Sequence, residues 1–368
     1  MMHLLIKTIL LFVKPKVIIV TGNYAEDTAQ AIFCVLKSLK FKISKLTFPF
    51  SLKTAFNIIK SKILIVTLKP EEIKSVVRNI PLGQIKIVVV TPLGNIPPED
   101  IVFAGEKIKR DKILQLLKKL SPQNFLVLNY DDETAREIDE FVNMKDITFG
   151  FDKGADLRAS DVTLDKEGTN FKLNFEGKVI PVWLYHLFGK KHIYAALAVF
   201  GVTYNLNINF LEAAKALKNY RPLAGEGQII QGIKNTLILD DSKNATSYSM
   251  IEALLALKEI GRDSRKIAVL GDVIGIGKYS PEAHETIGEY AAKCADILFT
   301  VGPRAKFIAQ GAKQKGFSDE NIFSFDTSYQ TKLKVQEIIQ EGDIILVDGS
   351  KEMNMREIVE EIKEIPGR

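Results

Sequence analysis

Cysteine, histidine and tryptophan are all scarce in this chain. The two cysteines, Cys34 and Cys294, stand far apart. They suggest no disulfide framework and suit a reducing cytosol, so a cytoplasmic location is expected. The four histidines, His3, His186, His192 and His284, form no HxxxH or HExxH pair, and no CxxC occurs. No dedicated metal site is therefore expected. No apolar run approaches the roughly 20 residues that a membrane-spanning helix needs. Neither sign of charge dominates, since 50 Lys+Arg face 45 Asp+Glu for a net charge of +5. With no basic stripe interleaved with aromatics, no nucleic-acid partner is expected. The local run Lys37, Lys40, Lys42 and Lys45 reads as a solvated helix end.

What is present describes an ordinary globular protein. The 368 residues are 46% hydrophobic, with 24 Gly and 13 Pro, which excludes collagen-like and low-complexity classes. That length suggests two domains of roughly 150 residues or more. Leu4–Val13 is apolar but short, contains Lys7, and runs into Lys14-Pro15-Lys16 instead of a cleavage site. Residues 1–15 read as an amphipathic helix docked on the domain. Peripheral membrane contact through residues 4–13 is the alternative.

From Lys16 onward, short apolar runs alternate with helical patterns. Strands are expected at Lys16–Thr21, Ile63–Thr67, Ile85–Thr91 and Phe125–Asn129. Helices are expected at Asp27–Leu39, Glu71–Val77, Lys107–Leu117 and Glu133–Val142. This alternation predicts an α/β fold with a parallel sheet covered on both faces. After Phe151 the period changes to two, which predicts a small antiparallel patch around the Glu176-Gly177 turn. Two helices close this half, a domain of residues 16–220. Arg221–Gly225 breaks the pattern. A doubly wound domain, 221–368, follows with strands at Thr236–Leu239, Ile267–Leu270, Ile297–Val301, Ile322–Phe325 and Ile344–Val347.

Ligands of open α/β sheets bind at the carboxyl ends of strands. The first such turn reads Thr21-Gly22-Asn23-Tyr24-Ala25-Glu26-Asp27-Thr28. A phosphate loop needs a glycine for close approach, a lysine on the phosphates and a hydroxyl on Mg²⁺. Here the lysine position is Glu26 and the first hydroxyl position is Asp27. Two acids at a helix start suit the macrodipole, so capping the helix is the plain reading; a Mg²⁺ site on Asp27 is the alternative. Trp183 and the phenylalanines read as core. Asp240 and Asp241 form an acidic pair at a strand end, where capping and loop bonding are the plain reading.

Four segments resemble the Mur ligases, a family of ATP-dependent amide ligases. They are Leu239–Met250 (LDDSKNATSYSM), Ala268–Gly277 followed by Glu282-Ala283-His284, Gly342–Ser350 (GDIILVDGS) and Gly189–Ala198 (GKKHIYAALA). Their order and spacing resemble most the members that add D-alanyl-D-alanine. The resemblance implies a P-loop-like central domain and a Rossmann-like C-terminal domain. The family's usual N-terminal UDP-binding domain is not expected ahead of Lys16. It also implies the family's chemistry: ATP phosphorylates a UDP-muramoyl peptide carboxylate, and an amine attacks the acyl phosphate. Mg²⁺ ions and a lysine offset the phosphate charge.

Carried over residue by residue, the resemblance implies nucleotide contacts at Thr21, Gly22, Thr28, His192, Asp241, Ser242 and Asn244. It implies catalytic roles for Lys112, Asp241 and His284. It also marks departures. Glu26 stands for the loop lysine, Pro97 for a metal-associated histidine, Glu226 for a phosphate-contacting arginine and Asp348 for the lysine of KGS. His192 and Ala195 stand for adenine-contacting asparagines. The family's metal-binding glutamate has no counterpart.

A carboxylate in place of an ammonium reverses an interaction worth roughly several kcal/mol in a dry site. The expected function is therefore a degenerate homologue with weak or no ligase activity. Such a protein would bind a precursor or an intact Mur ligase. An active ligase joining D-Ala-D-Ala to a UDP-muramoyl peptide is the second reading, and a membrane-peripheral scaffold is the third.

Overall fold

The computed structural model describes residues 2–46, 56, 58–73, 80–94, 103–243, 245–277 and 280–364. Asn244, Pro97 and most of the Glu71–Val77 helix reading lie outside them. The chain divides into two compact units. The first is 1–162, 170–184 and 190–221; the second is 163–169, 185–189 and 222–368. The second unit thus recruits two short upstream segments as well as the chain after Arg221.

In the first unit the strands are β1 (Lys16–Thr21), β2 (Ile43–Leu46), β3 (Ile63–Leu68), β4 (Ile85–Val90), β5 (Phe125–Asn129) and β6 (Lys145–Gly150). They continue into β7 (Leu157–Asp165), β8 (Gly168–Phe175) and β9 (Lys178–Tyr185). Among the described residues they form one sheet, ordered β2-β3-β1-β4-β5-β6-β7-β8-β9. The strands from β2 to β7 pair in parallel. β1 is buried from Val17 to Thr21, as a central parallel strand covered on both faces must be. The expected antiparallel patch is not separate. It continues the main sheet through the pairs Phe149↔Leu157 and Gly150↔Arg158.

One face of this sheet packs Val17, Ile19, Val88 and Leu126 against Ile113 and Leu117 of α3 (Phe103–Leu117). The N-terminal helix α1 (Met2–Val13) adds Leu10 to that core. The remaining helices are α2 (Ala25–Ser38), α4 (Glu133–Arg136), α5 (Lys190–Asn205) and α6 (Phe210–Leu217). α5 is buried from His192 to Thr203, as an almost wholly apolar helix should be. The helix expected over Glu133–Val142 stops at Arg136 and resumes only as a 3-10 turn, Asp139–Phe141. Glu137, Asp139 and Glu140 put carboxylates where the helix dipole is negative. Trp183 is not core. It points outward between buried Val182 and Leu184, 37% exposed, with Lys218 5.0 Å above its ring.

The second unit is built on β10 (Gln228–Gln231), β11 (Leu237–Asp241), β12 (Lys266–Gly271), β13 (Ile297–Val301), β14 (Ile322–Phe325) and β15 (Ile344–Asp348). Their order is β10-β11-β15-β12-β13-β14, and only the β10 pairing is antiparallel. One face carries α7 (Ser247–Ile260), α8 (Ser280–Cys294) and α9 (Lys306–Gln314). The other carries α10 (Ser328–Ile338) and α11 (Arg356–Ile362).

Candidate functional site

In the first sheet the chain runs from β1 to β2 and β3 on one side, then to β4 on the other. The crevice at such a reversal, beyond the strand carboxyl ends, is where these sheets bind ligands. Two turns meet there, one after β1 and one after β4. Gly22 has φ +119°, and a Cβ on it would lie 2.3 Å from Thr91 Oγ1 and 2.6 Å from Thr91 O. Only glycine fits such an approach. The Asn23 amide donates to Pro92 O at 2.7 Å, and Asn23 Nδ2 donates to Gly94 O at 2.9 Å. Lys109 Nζ, from α3, donates to Asn23 Oδ1 at 3.1 Å and to Leu93 O at 2.8 Å. Asp132 accepts from the Leu93 and Gly94 amides beneath.

Glu26 and Asp27 occupy the first turn of α2. Glu26 faces solvent and Asp27 is buried. The Thr21 and Thr28 hydroxyls are buried and hydrogen-bond to no described residue. His192 is fully buried, with Nδ1 3.1 Å from the Tyr220 hydroxyl, which itself donates to Asp27 O at 3.4 Å. His192 Nδ1 and the Tyr220 hydroxyl thus share a hydrogen bond beside the first turn of α2. The position implied to face adenine is therefore tied to the helix start.

Lys112 is half-buried on α3 and hydrogen-bonds to no described residue. Lys109, almost one turn earlier, is the lysine that reaches the loop. Sequence reading passed over it, and only the helical spacing from Lys112 could have suggested it. It also missed Tyr194, which donates to Asp131 Oδ2 at 2.8 Å, while Asp131 accepts from the Phe151 and Asp152 amides.

The match of this turn to a phosphate loop is partial. A phosphate loop presents free main-chain N–H groups, but the Asn23 amide is spent on Pro92. Position 26 is an acid, and the Lys109 ammonium is spent on Asn23 and Leu93. The two buried threonine hydroxyls and the first turn of α2, whose amides no side chain caps, are what remain to meet an anion.

The second unit has its own cluster at the strand carboxyl ends. Asp240 is fully buried, accepts from the Ser242 amide at 3.3 Å and pairs with Arg356 Nη1. Burial pushes its carboxyl above the ordinary value, opposed by Ser242, Arg356 and the Gly225 main chain. Asp241 and Asp348 are buried register partners on adjacent strands. Glu226, also buried, meets Lys243 Nζ at 3.0 Å.

Asp272 Oδ1 accepts from the Arg304 and Ala305 amides at 2.9 and 2.7 Å. His284 Nε2 accepts from the Val273 amide at 3.1 Å, and its Nδ1 lies 2.6 Å from Ser280 O. The ring is therefore a neutral Nδ1–H tautomer committed on both sides to main chain. Burial lowers its pKa, the main opposition coming from Ser280. His284 positions the loop after β12. Ser350 Oγ, accepting from the Ile274 amide at 2.9 Å, does the same. Among the described residues, no group of three or more His, Cys, Asp or Glu could hold a metal ion.

Comparison with known proteins follows the same two halves. The Mur ligase middle-domain model matches residues 102–203, and the model described as Mur ligase, glutamate ligase domain matches residues 227–351. The UDP-N-acetylmuramoyl-tripeptide–D-alanyl-D-alanine ligase of Escherichia coli is 32% identical over 213 residues, 57% of this chain and 45% of the relative. Its Bacillus subtilis counterpart is 26% identical over 220 residues, 60% of this chain and 47% of the relative. The chain thus spans about half the length of the curated relatives it matches. The solved structure of the corresponding D-alanyl-D-alanyl ligase from Acinetobacter baumannii shares its fold. The TM-score is 0.80 at 19% identity, covering 98% of this chain and 78% of that one. A Thermotoga maritima ligase of the same kind, solved with ADP, gives 0.77 at 18% identity, covering 98% and 82%.

Proposed function

We propose, from the premise that this chain belongs to the Mur ligase family, that it serves peptidoglycan precursor synthesis without carrying out the ATP-dependent step. One observation carries this reading. The turn after β1 is closed by its own chain, with Asn23 bonded through main chain and side chain to the turn after β4. Phosphoryl transfer rests on positioning and charge stabilisation. Here the Asn23 N–H is used, the charge at residue 26 is negative and His192 is buried beside Tyr220. What remains is a Mur-ligase scaffold able to engage a UDP-muramoyl peptide or an intact Mur ligase.

The buried Thr21 and Thr28 hydroxyls favour the second reading, an active ligase that opens this turn on binding MgATP. The test is thermal unfolding with and without millimolar MgATP. Saturation at 100 times Kd would stabilise the protein by about 2.7 kcal/mol, a readable rise of a few degrees. No shift is expected. A clear shift, with phosphate release on adding UDP-muramoyl tripeptide and D-Ala-D-Ala, would establish the second reading instead.

A further inference from the structure

The amino-terminal ends of the strands in the first unit, opposite the crevice described above, carry a second feature. Residues 1–25 contain Lys7, Lys14 and Lys16 and no Asp or Glu. Helix α1 is fixed by one side. Leu10 is fully buried, and its carbonyl accepts from Gln84 Nε2 at 2.7 Å, just ahead of β4. The next two residues turn outward, leaving Leu11 50% and Phe12 84% exposed. Lys14, Lys16, Lys62 and Lys86 are exposed around the helix end and the starts of β1, β3 and β4. No described carboxylate forms an ion pair with any of them. Beside them lies a cavity of about 290 Å³, lined by Lys16, Lys86, Gln123, Asn205 and Asn207 over a floor of isoleucine and leucine.

An exposed Phe-Leu pair beside unpaired lysines has a definite complement. A soluble partner groove would have to supply both apolar surface and acids. An anionic bilayer supplies both at once, with acyl chains below a sheet of phosphates. We propose that this end of the first unit docks on an anionic phospholipid surface. Leu11 and Phe12 enter the headgroup boundary, and a lipid phosphate is taken between Lys16 and Lys86 at the cavity mouth. The attachment is peripheral, since no described helix is long and apolar enough to cross a membrane. It is independent of the nucleotide reading, because it uses the other end of the sheet.

The experiment is vesicle flotation of the full chain, with phosphatidylglycerol–phosphatidylcholine vesicles against pure phosphatidylcholine. Binding is expected to the anionic vesicles only and to fall as salt rises. Each lysine near such a surface is worth about fivefold in partitioning, so Lys16→Ala with Lys86→Ala should lower it roughly 25-fold. Phe12→Ser, at an exposed position that leaves folding unchanged, should abolish flotation. Inorganic phosphate in excess should compete weakly, because it fills the pocket without replacing the apolar contact. Equal binding to neutral vesicles, or flotation untouched by Phe12→Ser, would overturn the proposal. So would a Phe12→Ser variant that changes only the oligomeric state.

Discussion

Arg356→Ala offers a direct measurement of what holds the end of β11. Asp240 has no solvent exposure, and Arg356 reaches it from α11 with its own side chain 33% exposed. Removing one partner of a fully buried pair costs about 3–5 kcal/mol. Two facts lower that figure here. The arginine is a third exposed, so solvent already screens part of the interaction. The Ser242 amide and the Gly225 main chain also stay in place to support the carboxylate. A loss of about 2–3 kcal/mol at neutral pH is the expectation, read from the urea midpoint of the second unit.

The pH dependence has a definite sign. Asp240 already titrates above the ordinary carboxyl value, because burial outweighs its stabilising partners. It therefore binds a proton more readily folded than unfolded. Stability from this group is present below the unfolded value and is lost as pH rises through the folded one. Without Arg356 the folded value climbs further. The deficit of Arg356→Ala should thus shrink as the pH is lowered, because the stranded carboxylate takes a proton. Asp240→Asn should be nearly insensitive to Arg356→Ala, so the double-mutant cycle should show coupling of about 1.5 kcal/mol or more. A deficit under about 0.5 kcal/mol, or a deficit that grows in acid, would refute the argument.

Two more perturbations test the cluster around this pair. Glu226→Arg, which places the arginine that the resemblance implies, faces Lys243 and should destabilise the second unit by about 1–3 kcal/mol. Glu226→Arg with Lys243→Glu should recover most of that, and circular dichroism melts would read both. His284 is held neutral below the ordinary histidine value by burial. An unfolded chain takes up a proton there before the folded one does, so its contribution is complete above the unfolded value. It falls as the pH drops toward the folded value. His284→Asn should flatten the melting temperature against pH in the mildly acid range, and an unchanged slope would count against this assignment.

The sheets were legible because buried parallel strands are written as unbroken apolar runs. Lys16–Thr21 is a strand over just that range, and Ile297–Val301 likewise. The join between β6 and β7 was not legible. Two register pairs carry it, and two pairs leave no periodic trace in a sequence. The site was harder still. Helical spacing puts Lys109 and Lys112 on neighbouring positions of one face, yet it cannot say which ammonium meets Asn23. Trp183 was misread because strand alternation gives two faces without labelling the wet one.

The acids at 26, 226 and 348 look alike in the sequence, since each stands where the resemblance implies a base. In the folded chain they differ physically. Glu26 is solvated at a helix start, where its charge suits the dipole and meets no penalty. Glu226 is buried and answered by Lys243 from the next loop, so an acid at one position is matched by a base at a neighbouring one. Asp348 is buried in register with Asp241 on the adjacent strand. Losing a constraint explains the first. It does not explain the second, because a buried acid without Lys243 would cost stability and be removed. The compensated pair keeps a buried acid at this position compatible with a stable second unit.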